Sequence, residues 1–196
     1  MSAPSADIRV IRRDEHKLVP WRNGGGVTRE IALAPDERGA LGYGWRLSQA
    51  TVSEPGPFSE FPHADRTLLV LSGDGLELMV AGVPHVLQRH EALAFPGDVA
   101  TLGRPLGGPV EDLNIICDRR LVRHEMRVLN LDETIEGPKG SDVLFVALAS
   151  AAIQGPADHV YPLAAGDTLQ ARGRPGLWRV TEGKIAAVIL TPQLLT

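Results

Sequence analysis

The chain has 196 residues, 43% hydrophobic and 22% charged, a balance that excludes a disordered or collagen-like polymer and allows one domain or two small fused ones. Its 21 glycines and 15 prolines against 5% aromatics point to many short strands joined by turns, hence an all-β chain. A formal net charge of -4 gives no drive toward nucleic acid or an anionic membrane, so the expected partner is a small molecule.

Residues 1–13 hold no apolar stretch of signal-peptide length, and no run reaches the ~18 residues of a membrane span, so a cytoplasmic chain is expected. Next comes Trp21-Arg22-Asn23-Gly24-Gly25-Gly26-Val27-Thr28-Arg29-Glu30-Ile31. Three successive glycines call for positive φ or for close approach by another group. Asn-Gly is first a turn signal, and the alternative is a nest of backbone N–H groups for an anion. The Lys and Ser/Thr of a phosphate-binding P-loop do not follow, and no dinucleotide fingerprint is present.

Alternation and apolar runs predict strands at 27–33, 45–52, 67–71, 76–80, 85–87, 92–95, 113–117, 143–148, 177–181 and 185–190. Gly- and Pro-rich turns punctuate them at 55–57, 72–75, 96–98, 107–109 and 137–138, a spacing that suits a sandwich or barrel. Cys117 is the single cysteine and lies in an apolar run, so it reads as a buried small hydrophobe rather than a reactive thiol.

Laying residues 66–97 on 142–173, a constant offset of 76, superposes apolar run on apolar run and sets His90-Glu91 on Gly166-Asp167. Two modules are expected, residues 1–120 and 121–196, packed as one unit. The second repeat has only about 55 residues after Asp142, too few to close a barrel, so N-terminal strands are expected to complete it.

The turns Gly73-Asp74-Gly75, Pro96-Gly97-Asp98 and Gly166-Asp167 resemble those of cupin double-stranded β-helices. Cupins usually hold a metal, but the matching ligand positions read His63, Asp65, Leu69 and Thr101, and Leu69 cannot ligate. His16, His85, His90, His124 and His159 show no paired ligand spacing. Neither a metal nor another cofactor is expected.

The triple-glycine segment is similar to the signature of the HutD/Ves family of bicupins. Four further blocks resemble that family in order: Trp45-Arg46-Leu47-Ser48-Gln49-Ala50, Gly56-Pro57-Phe58-Ser59-Glu60-Phe61-Pro62, Asp65-Arg66-Thr67-Leu68, and Asp112-Leu113-Asn114 with Arg119 beyond. The resemblance runs from about Leu18 to Arg120. It implies tandem cupin barrels (RmlC-like) with no established metal and, on the HutD branch, a link to histidine utilisation through a metabolite such as N-formylglutamate or urocanate. His63 stands where the family's Phe-Pro-Gly segment has glycine.

Alternation along residues 45–52 puts Arg46 and Ser48 on one face and Trp45 and Leu47 on the other. Inside a small barrel Arg46 requires a carboxylate, either an internal one from Glu30 or Asp65 or one brought by a ligand. On the second alternative Arg46 and Arg66 clamp a small carboxylate, with Ser48, Asn114 and Thr28 as neutral partners and Asn23, Glu30 and His63 nearby. Trp21 serves as core or pocket wall. No Gly-x-Ser-x-Gly elbow or Cys–His pair appears, which weighs against an enzyme. A metal-free isomerase or lyase using Glu30, Asp65 or His63 is the second hypothesis, and a Ves-like stress-associated protein-partner module the third; a homodimer is compatible with each of them.

Overall fold

The computed structural model describes residues 7–20 and 27–193, so Trp21, Asn23 and the three glycines lie outside the described residues. In chain order the strands are β1 (Asp7–Ile11), β2 (Lys17–Pro20), β3 (Val27–Pro35), β4 (Tyr43–Val52), β5 (Gly56–Pro57), β6 (Ala64–Ser72), β7 (Leu76–Val80), β8 (Val83–Leu87), β9 (Ala92–Pro96), β10 (Thr101–Pro105), β11 (Val110–Asp118), β12 (Val122–Leu129), β13 (Thr134–Gly137), β14 (Asp142–Ala147), β15 (Ala151–Gln154), β16 (Val160–Leu163), β17 (Thr168–Arg172), β18 (Gly176–Glu182) and β19 (Ile185–Pro192). The fold is all-β. Each of the ten strands predicted from the sequence is present, most of them longer by one to three residues, while 143–148 stops at Ala147. Among the described residues no helix is long and apolar enough to cross a membrane.

The chain divides into two compact units, one of Lys17–Val122 and one joining the stretch before Lys17 to the stretch from Arg123 onward. In the first, a six-stranded sheet ordered β2-β3-β4-β11-β6-β9 accompanies a four-stranded sheet ordered β5-β10-β7-β8. The core between them draws Val52, Leu68, Val70 and Val110 from the larger sheet and Leu76, Leu78, Val80 and Leu87 from the smaller. Burial of each such side chain contributes roughly 1.5–3 kcal/mol, and period-2 alternation presents them on one face.

The other unit pairs a five-stranded sheet, β1-β17-β14-β19-β12, with a four-stranded one, β13-β18-β15-β16. Phe145, Trp178, Ile153, Leu169 and Ile185 form its core, and Ile8 and Val10 of β1 pack against it. β1 adds antiparallel to the edge of β17, Asp7 opposite Arg172 through Ile11 opposite Thr168.

The two units share a strand order. β4-β11-β6-β9 answers to β12-β19-β14-β17, and β5-β10-β7-β8 to β13-β18-β15-β16. The turns agree in detail. His90 and Gly166, 76 residues apart, both have positive φ, +68° and +84°. The residue after each closes the turn with its carboxylate, Glu91 accepting from Gln88 N at 2.8 Å and Asp167 from Ala164 N at 3.1 Å.

Candidate functional site

Strands β3, β4, β11 and β6 lie side by side and hold the polar side chains in register. Glu30 is opposite Ser48, Ser48 opposite Asn114, and Asn114 opposite Leu68. One row along the sheet, Thr28, Ala50, Asp112 and Val70 align, and on the far side Arg46, Ile116, Arg66 and Phe95. Residues two apart on a strand share a face, so Arg66 projects on the same side as the core residues Leu68 and Val70, and Arg46 and Ser48 on the same side as Val52. The interior of this unit is therefore apolar toward Val52 and Val110 and polar toward Arg46 and Arg66.

Arg66 is only 4% exposed. Its guanidinium lies 5.1, 5.7 and 5.0 Å from the ring centres of Phe58, Phe61 and Phe95, and Nη2 donates to Asn114 Oδ1 at 2.5 Å. Asn114 Nδ2 in turn donates to Asp112 Oδ1. Arg46, half-buried, lies over the rings of Tyr43 at 5.6 Å and Phe61 at 5.7 Å, so a single phenyl ring contacts both cations. The Nε of each arginine is buried without a hydrogen-bond partner among the described residues, as is Asp112 Oδ2.

Burial pushes Arg66 down to about 10, opposed by the charge of Asp112, so it stays cationic at neutral pH. Burial pushes Asp112 up to about 7, opposed by Arg66, the Ala50 backbone N–H and Asn114. The Tyr43 hydroxyl is held above its usual range by burial, opposed by Arg46.

Neither internal carboxylate that the sequence offered to Arg46 meets it. Glu30 makes no ion pair with Arg46 among the described residues. Asp65 is taken by Arg119 Nε at 2.8 Å, and the same guanidinium holds Asp98 at 2.8 and 2.9 Å. His63 stands outside the constellation. It is exposed, its φ is +61°, and its carbonyl accepts from Arg119 N at 3.0 Å. Arg46, Ser48, Arg66, Asn114, Thr28 and Glu30 share the strands described above, and Asn23 lies outside the described residues. Asp112, Tyr43, Phe58 and Phe61 join them. Sequence reasoning placed Asp112, Phe58 and Phe61 only inside family blocks, and the sole further signal was the i, i+2 spacing of Asp112 and Asn114 on one strand.

Among the described residues no three His, Cys, Asp or Glu side chains gather as a metal set, and Leu69 and Thr101 are buried. Thr101 Oγ1 donates to Val99 O at 3.2 Å. Cys117 is buried, and burial pushes its thiol up, as suits an unreactive core position.

A HutD family model matches residues 13–188. An uncharacterised 21.2 kDa protein of Pseudomonas putida, encoded in the hutC 3' region, is 32% identical over 173 residues, 88% of this chain and 90% of that one. Protein Ves of Citrobacter koseri is 34% identical over 131 residues, 65% of this chain and 66% of that one. The solved structure of HutD from Pseudomonas fluorescens, from a formate condition, superposes with a TM-score of 0.84 at 31% identity, covering 96% of this chain and 100% of that one. A family match across most of the chain, joined by relatives of both names, means that the chain belongs to the HutD/Ves family.

Proposed function

We propose that this chain is a metal-independent bicupin that binds a small carboxylate metabolite between Arg46 and Arg66, in a role linked to histidine utilisation. The observation that carries this reading is a charge mismatch: two guanidiniums share the Phe61 ring, each with an unpartnered buried Nε, and neither forms an ion pair with Glu30 or Asp65. Two cations face one buried carboxyl, Asp112, which reaches Arg66 only through Asn114; an under-compensated buried cation costs several kcal/mol, and a ligand carboxylate supplies the missing charge with planar hydrogen bonds. Ser48 and Asn114 then offer neutral contacts. The shared strand order of the two units supports the bicupin reading. Proximity to hutC of the P. putida relative's gene, together with the HutD name of the P. fluorescens neighbour, supports the pathway.

Calorimetry and thermal shift with N-formylglutamate, urocanate and formate test the proposal. At least one is expected to bind and to raise Tm without forming product, and Arg46→Ala is expected to weaken that binding by tenfold or more, ~1.4 kcal/mol. Unchanged binding in Arg46→Ala of every carboxylate that binds the wild type would overturn the pocket assignment. Turnover of a bound metabolite would instead favour an isomerase or lyase.

A further inference from the structure

The binding proposal leaves one buried carboxyl without a task. Asp112 is 0% exposed on β11 and sits two residues from Asn114, to which it is hydrogen-bonded. That bond fixes the Asn114 amide with Oδ1 turned toward Arg66, while Oδ2 of Asp112 has no partner among the described residues. We propose that Asp112 is a positioning residue that trades its charge with the ligand, standing as counter-ion to Arg66 through Asn114 in the free protein and taking up a proton when an anion docks on Arg46 and Arg66. This inference rests on the carboxylate-binding proposal above.

The charged surroundings set the direction of the exchange. From β6, Arg66 favours the Asp112 anion, and from β11 itself Glu111 disfavours it. Its neighbour on β4 is Ala50, whose backbone N–H favours the anion, and the residue across from Ala50 on β3 is Thr28, so neither strand brings a charge into this row. Arg46 and Tyr43 act on Arg66 with opposite signs. An anion placed on the two guanidiniums offsets the attraction of Arg66 for Asp112 and repels the buried carboxylate directly. Both effects favour the neutral acid, and the bare Oδ2 has room in its hydrogen-bonding for the proton. Since the free carboxyl already titrates at about 7, the exchange falls in the neutral range.

The test is calorimetry of the wild-type protein with N-formylglutamate and with formate, neither of which titrates between pH 6 and pH 8, in buffers of small and large ionisation enthalpy such as PIPES and Tris. The observed heat is expected to change with buffer, corresponding to uptake of about half a proton per site at pH 7. Affinity is expected to fall about tenfold from pH 6 to pH 8. Asp112→Asn, a neutral mimic of the protonated state, is expected to bind at the wild-type pH 6 level with a flat pH profile, and the wild-type buffer series stands if that variant does not fold. Binding with buffer-independent heat and a flat wild-type profile would overturn the exchange while leaving the carboxylate site intact. Absence of binding by both probes would overturn the exchange, and the site with it if urocanate also fails to bind.

Discussion

Arg46 and Ser48 were legible as one polar face from alternation along β4 alone, because a strand's period of two needs no tertiary information. What met Arg46 was not legible. Its partners are rings, and whether Glu30 or Asp65 reaches it depends on a register between strands and on the competing claim of Arg119. Asp112 was hidden for a related reason, since its titration is set by burial on β11 between β4 and β6. Its carboxyl is raised from 3.8 to about 7 on folding, so the native state binds the extra proton between those values. Stability contributed by this group is thus greatest at low pH and lost as pH rises from about 4 to about 7, an amount on the order of 4 kcal/mol. Urea unfolding of wild type and Asp112→Asn across that range is expected to show the difference between them changing in this direction, and a constant difference would contradict it. His63 yields a simpler expectation. Held at φ +61° and exposed, it gains from glycine the relief of a left-handed conformation, so His63→Gly is expected to stabilise by about 1 kcal/mol, with carboxylate binding unchanged.

At the level of elements, sequence patterns found the strands with strong apolar runs and missed β1, β2, β5, β10, β12, β13 and β15 to β17. β12 alternates well, with Arg123, Glu125 and Arg127 exposed, yet its apolar positions are too sparse to announce themselves. β17 carries Gln170 and Arg172 and takes its identity from β14 and β1, whose residues lie far away in sequence. One element also matters to the site from a distance. Gly103 of β10 has no room for a side chain, because a Cβ there would overlap the Phe58 ring that stacks on Arg66. Gly103→Ala is expected to push that ring aside and weaken carboxylate binding about tenfold, ~1.4 kcal/mol, in a protein that still folds. Phe58→Leu, which removes the ring but relieves the overlap, is expected to restore folding stability to the double variant without restoring affinity; recovery of affinity would show that the ring is not needed.

For the molecule as a whole, the repeat at offset 76 was readable as aligned apolar runs, and the shared strand order gives those runs a common topology. The reading could not say which early strand would serve the C-terminal unit, since β1 is five residues long with no distinctive pattern. Removing residues 1–11 takes away Ile8, Val10 and the buried Ile11 and bares the edge of β17. It is expected to cost ~4 kcal/mol or more and to promote aggregation, measurable as a lowered Tm and as light scattering, whereas Ser in place of Asp7 is expected to be silent. The pairing of β1 with β17 also carries a consequence for synthesis on the ribosome. Its partner Arg172 emerges 165 residues after Asp7, so Lys17–Val122 can complete its own pairings while β1 is still waiting for β17. β1 therefore stays without its sheet partner while every residue between it and β17 is being made, and its docking joins two segments synthesised far apart in time.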